Sequence, residues 1–204
     1  MKSGYLPYDQ TPHYVFGLDI GSKRNHTALV TLQKRWNPAT VEEIIASANN
    51  IYYGEWIYTI VQAKRLPLGV PYTEIAHWVK DEIAKVFPPF HKTLVMDATG
   101  VGSAVCDLLR EMDIGARMAP VVITGGDAAG RRSSGSSVHL SRTELMTSLR
   151  LSVERQQFSI LKTCTEAEAL RGELKALRMQ GKPEHGQDDL AFSAALTVWW
   201  ALRS

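Results

Sequence analysis

The stretch TLVMDATGVGSAVCDLLREM, residues 93–112, decides the reading of this chain. Thr93 to Met96 is an apolar run of strand length, and Asp97 stands at its C-terminal end. Two glycines, Gly100 and Gly102, then open a segment whose apolar residues recur with helical spacing, which predicts a helix over Val101–Met112. MAPVVIT, Met118 to Thr124, reads as the next strand. Strand, helix and strand in succession indicate an α/β protein in which an acidic side chain sits at a strand tip.

Upstream, YVFGLDI (Tyr14–Ile20) and TALVTLQ (Thr27–Gln33) read as two strands joined by the charged loop SKRNH, an antiparallel hairpin. Tyr52 to Lys64 reads as a third, aromatic-rich strand, broken by Leu66-Pro67-Leu68-Gly69. Trp36 to Asn50 fits either a helical turn or an insertion. Ile75, Ala76, Val79, Ile83 and Val86 mark a helix over Tyr72–Phe87 that Pro88-Pro89 stops. Downstream, Gly125–Ser137 is rich in Gly and Ser and is expected to be mobile. Helices are expected at Ser141–Arg155, Thr165–Met179 and Asp188–Leu202, with a short strand near Phe158–Leu161. The expected architecture is a leader over 1–13, then a single α/β domain over 14–204 with a mixed sheet of about five strands flanked by helices, of which the RNase H-like layout is one arrangement.

Composition narrows the classes. A chain of 204 residues suits one domain. Its net charge of +2 means that any nucleic-acid surface must come from local clustering rather than bulk charge. Cys106 and Cys164 have no metal-ligand spacing, which argues against structural zinc and suits a reducing compartment. The opening residues do not resemble a signal peptide, and ALTVWWAL is too short to span a bilayer, so no membrane association is expected.

Four aspartates occupy rigid positions: Asp19 on the first strand, Asp97 at a strand tip, and Asp188 and Asp189 at the opening of the last helix. Each has an ordinary explanation. Asp19 beside Gly21 and Asp97 before Ala98-Thr99-Gly100 suit turns, and one of the Asp188/Asp189 pair suits an N-cap. Together they suit a divalent cation. Carboxylates gathered without a counter-charge repel one another, and Mg²⁺ takes hard oxygen ligands.

These same segments resemble the C-terminal nuclease domain of phage terminase large subunits. GLDIGSKRNHTALV looks like that family's first acidic strand and hairpin, RLPLGVPYTEI like the segment before its second acidic motif, and VMDATGVGSAVCDLL like that motif itself. VHLSRTELMTSLRLSVERQQFSI is similar to the segment after the variable loop, and GQDDLAFSAAL to the closing motif. The resemblance implies a metal-dependent endonuclease that cleaves double-stranded DNA by two-metal-ion hydrolysis. Asp19, Asp97, Asp188 and Asp189 would be its catalytic and metal-binding residues, and Mg²⁺ or Mn²⁺, two ions, its cofactors. It also implies, as partners, DNA and a terminase ATPase motor, small subunit or portal, in the cytoplasm of a bacterial host. Gln187 stands where many relatives carry His, and neither it nor His185 is counted as a ligand. One departure is plain: GxxxxGK[ST] is missing, so no ATPase motor domain is expected here.

DNA contact needs cations near the acids. Lys23, Arg24 and His26 in the hairpin loop, and Arg131, Arg132 and Arg142 around the Gly/Ser stretch, are the candidates, with His139 beside them. No base-reading motif occurs, so binding through the backbone of DNA is expected. Tyr52, Tyr53, Trp56 and Tyr58 alternate on their strand and read as packing rather than as a base-stacking platform. Two other readings use the same residues: a Holliday-junction resolvase-like nuclease of this fold, or a non-catalytic DNA-binding or assembly module. An actin- or Hsp70-like ATPase, suggested by GLDIGSK, needs two duplicated halves and a longer chain.

Overall fold

A computed structural model describes residues 4–5, 11–21, 25–40, 42–43, 53–86, 91–124, 133–134, 137–180 and 188–204. Their strands are β1 (Gly4–Tyr5), β2 (His13–Asp19), β3 (Ala28–Pro38), β4 (Tyr53–Arg65), β5 (His91–Asp97), β6 (Arg117–Thr124), β7 (Ser133–Ser134), β8 (Ser137–Ser141) and β9 (Ser159–Ile160). The helices are α1 (Tyr72–Ala84), α2 (Val101–Glu111), α3 (Arg142–Glu154), α4 (Ala167–Gln180) and α5 (Asp189–Ala201). All nine strands join one mixed sheet in the order β1-β4-β3-β2-β5-β6-β8-β7, with β9 beside β4. The fold is α/β with helices on both faces, compatible with the RNase H-like layout.

An antiparallel meander, β2-β3-β4, adjoins a parallel half in which β2, β5, β6 and β8 run the same way. The strand count corrects the expectation of about five. Two of the additional strands, β1 and β7, are two residues long, too short to carry a period, whereas β9 falls where a short strand near Phe158–Leu161 was expected. Strand β8, SVHLS, lies across the end of the expected Gly/Ser loop and lacks an apolar run. Residues 125–132 and 135–136 of that loop lie outside the described residues, as do Pro88-Pro89. The expected leader also gives way, since Gly4–Tyr5 pairs with Tyr53–Gly54 and His13 already opens β2. The undecided Trp36–Pro38 closes β3, where Trp36 packs edge-on against Trp56 at 5.3 Å.

Strand alternation sorts the side chains onto two faces. Phe16, Leu18, Leu94 and Met96 point to the face covered by α1 and α2. Val15, Val30, Val95 and Val121 point to the other, covered by α3, α4 and α5. Helix α5 is buried nearly all round, between the sheet and its neighbouring helices, which its composition dictates: DLAFSAALTVWWA has no polar face to offer to water. Fully buried side chains such as Phe192 and Leu196 each contribute on the order of 1.5–3 kcal/mol. Among the described residues, no helix is long and apolar enough to cross a membrane.

The seating of α5 on β2 requires a glycine. A Cβ at Gly17 would lie 2.1 Å from the Ser193 carbonyl oxygen, so no other residue allows this approach. Ser193 also donates its hydroxyl to the Ala28 carbonyl at 3.0 Å, pinning the helix across β2 and β3.

Candidate metal centre

Asp19 and Asp97 end adjacent parallel strands. The register pairs Leu18 with Met96, which sets Asp19 beside Asp97 one residue further on. Both fall on the α5 face, because Val15 and Gly17 precede Asp19 at two-residue steps and Thr93 and Val95 precede Asp97 in the same way. The C-terminal edge of parallel strands is where open α/β sheets place ligands. Helix α2 begins hard against this point: a Cβ at Gly102 would meet the Asp97 carbonyl oxygen at 2.0 Å. Asp97 does serve its turn, since Oδ1 accepts the Thr99 amide at 2.8 Å.

Helix periodicity brings in the third partner. Ser193 rests over Gly17, so Asp189, one turn earlier at about 6 Å along the helix, comes over Asp19, two strand residues further on at about 6.6 Å. Asp188, just before it, is the N-cap residue of α5 but makes no side-chain capping bond. Its Oδ2 instead accepts from Arg142 Nη2 at 2.5 Å, and the Arg142 guanidinium lies 4.4 Å from the Phe192 ring centre. The expectation that one of the paired aspartates caps the helix is therefore corrected. The amide that a capping aspartate would take, Ala191 N–H, donates to Glu173 Oε2 of α4 at 2.7 Å.

Arg65, at the end of β4, ties the rest together. Its Nη1 donates to Glu166 Oε2 at 2.9 Å, its backbone amide to Glu166 Oε1 at 2.9 Å, and its Nη2 to Glu173 Oε1. Its Nε lies 3.9 Å from Asp189 Oδ2, and neither of those two buried atoms has a hydrogen-bond partner. His26 holds the rim, with Nδ1 at 2.9 Å from the Leu66 carbonyl oxygen and its backbone hydrogen-bonded to Asp189.

The electrostatics follow from the count. Asp19, Asp97, Glu166, Glu173, Asp188 and Asp189 are six carboxylates against the guanidiniums of Arg65 and Arg142. Fully ionised, they leave an excess of four negative charges, the charge that two divalent ions would neutralise. Burial, reinforced by Asp189, Asp97 and Asp188 and opposed by Arg142, pushes the Asp19 carboxyl up to about 8. Burial also raises Glu173 to about 7, against the pull of the Ala191 amide and Arg65. Asp189 is raised by burial too, with Arg65 opposing.

These residues fit a hard divalent cation. The donor set is oxygen only, and Asp189 Oδ2 is a buried acceptor with no donor. Asp19, Asp97, Asp188 and Asp189 are the side chains that would hold it. As the side chains stand, no group of three or more His, Cys, Asp or Glu among the described residues is arranged to hold an ion. Arg142 and the Thr99 amide engage two of the four aspartates instead.

Of the expected DNA-contacting residues, Arg142 stands half-exposed beside Asp188, and His26 is spent on the fold. Lys23, Arg24, Arg131 and Arg132 lie outside the described residues. Sequence reading missed Glu173, Arg65 and Glu166. A signal for Glu173 existed: on α4 the buried stripe is Ala167, Leu170, Leu174 and Leu177, and Glu173 lies three and four residues from two of them. A carboxylate against an apolar stripe calls for a partner.

Compared with known protein-family models and with curated proteins, the sequence matches none. The functional reading therefore rests on the residues themselves.

Proposed function

We propose that this chain is a metal-dependent endonuclease acting on double-stranded DNA, of the kind found in the nuclease domain of phage terminases. One observation carries the reading: β2, β5 and α5 bring four aspartates to the C-terminal edge of the sheet with too few cations to neutralise them. When bound there, two Mg²⁺ or Mn²⁺ ions would activate a water and stabilise the leaving oxygen of a phosphodiester. Asp19 and Asp97 would hold the ions from the sheet, and Asp188 and Asp189 from the helix. Arg142, exposed at the rim, would exchange Asp188 for a DNA phosphate, a group its planar fork suits equally well. Lys23, Arg24, Arg131 and Arg132 would add backbone contacts, which carry no sequence preference. In this reading the protein works in the cytoplasm of a bacterial host, with a terminase motor, small subunit or portal delivering the DNA.

Plasmid cleavage with Mg²⁺ or Mn²⁺ tests the proposal. The parent chain is expected to nick or linearise the plasmid, and Asp97→Asn to lose that activity. Cutting by Asp97→Asn at the parent's rate would exclude the mechanism.

A further inference from the structure

The opening of α5 carries two aspartates, yet neither satisfies the helix. A helix N-terminus exposes amides that need acceptors, and an N-cap Asp ordinarily takes the amide of the second or third helical residue. Here Asp188 is the N-cap and Ala191 the third helical residue. Ala191 is buried, so water does not serve its amide. Glu173 reaches across from α4 and takes it at 2.7 Å. The other Glu173 oxygen is held by Arg65, which is in turn clamped by Glu166 at 2.9 Å through both its backbone and its side chain.

We propose that Glu173 is a positioning residue of the metal centre: it caps α5 from outside the helix, leaving the carboxylates of Asp188 and Asp189 available to face the ions. The inference rests on the metal-centre reading and adds to it the device that keeps the helical aspartates in place. Without Glu173 the Ala191 amide is left to the N-cap residue Asp188, whose ordinary role is to accept it. An aspartate drawn into that role is turned from the site. Arg65 fixes the Glu173 side chain, so the cap is set before any ion arrives. Both Glu173 oxygens are engaged in this way, which separates its role from that of a ligand.

The test uses the full chain and three variants, with Mn²⁺ affinity and stoichiometry read by calorimetry and Ala191 amide exchange by NMR. Glu173→Gln retains an oxygen of the same reach and loses the charge. It is expected to keep Ala191 protected and to bind the parent's number of ions at close to the parent's affinity. Glu173→Asp keeps the charge and loses the reach, and Glu173→Ala loses both. Each is expected to expose the Ala191 amide and to weaken Mn²⁺ binding by about 10- to 100-fold, as loss of a group supporting a ligand does. Should the alanine variant fail to fold, the Gln and Asp variants still decide. Parent-like affinity in Glu173→Asp, or loss of one ion in Glu173→Gln, overturns the inference while leaving the metal centre standing. A parent chain that binds no Mn²⁺ overturns the metal centre itself, and this inference with it.

Discussion

The sheet buries carboxylates on both faces and treats them in opposite ways. On the α1 face, Glu82 is 3% exposed and receives Lys64 at 2.8 Å, Lys85 at 2.6 Å and Gln62 at 2.7 Å, while Thr31 donates to Gln62 behind them. Burial alone would push Glu82 up, but those bonds outweigh it and hold its carboxyl below the usual range. On the α5 face, Asp19 is raised to about 8 by burial and by its acidic neighbours. Burial is common to both. Partners are not. A buried acid that finds its donors is a structural rivet, whereas one left among other acids keeps its proton unless a cation that the chain does not supply lets it ionise.

The largest expected effect lies at the unsatisfied face. Asp97→Asn should reduce metal-dependent cleavage by more than the roughly 100-fold that loss of an outer-shell partner costs, because it removes a ligand outright. Glu82→Gln should leave the cleavage rate alone. Plasmid assays on the two variants side by side would break the comparison if their losses were alike.

Next comes the seat of the helix. Gly17→Ala drives a methyl into the Ser193 carbonyl, and overpacking of this kind costs about 1–3 kcal/mol. Urea denaturation should show that loss, and calorimetry should show weaker Mn²⁺ binding, since Asp189 rides on the displaced helix.

Stability should then respond with opposite signs on the two faces. Glu82→Ala strips Lys64 and Gln62 of their acceptor and should cost on the order of 1–3 kcal/mol. For a chain of this size each kcal/mol is about 2–4 °C in Tm. Asp19→Asn should instead raise the Tm of the metal-free protein at pH 8, because it deletes a charge from a crowded acidic set. A lowered Tm for Asp19→Asn in chelator would remove the contrast.

How much of this was legible in the sequence follows from which signals are local. Asp97 was readable because a strand and a helix meet around it, and Asp19 because YVFGLDI is an unambiguous strand. Neither their shared face nor their adjacency was, because both strands are apolar runs without alternation. The adjacency depends on β2 pairing parallel with β5, a contact between residues about seventy-eight apart in the chain. Strand β8 escaped because SVHLS, though it alternates, is short and begins inside the Gly/Ser stretch that reads as a loop, and with it went the path that brings Arg142 to Asp188. Glu173 and Arg65 escaped for a related reason. A Glu on a helix and an Arg at a strand end are ordinary solvated residues until tertiary packing buries them together. The paired aspartates misled in the opposite direction, because local capping rules take no account of an acceptor arriving from another helix.

The remaining effect is the pH dependence. In the unfolded chain Asp19 titrates near its ordinary 3.8 and in the metal-free fold near 8, so between those values the folded state binds more protons. Stability from this group is fully present below about pH 4, falls as pH rises and levels off above about 8. Glu173 adds to the fall between about 4.5 and 7. Glu82, held low, works the other way and loses its contribution only as pH drops below the ordinary carboxylate range. Thermal melts in chelator from pH 5 to 8.5 should therefore slope downward, and Mn²⁺ should flatten the slope.

The most direct measurement is a crystal of the chain grown with Mn²⁺ and located by anomalous scattering. Manganese is expected between Asp19, Asp97 and the Asp188/Asp189 pair, two ions at full occupancy. Crystals in saturating Mn²⁺ with no anomalous peak among those four aspartates would contradict the metal centre.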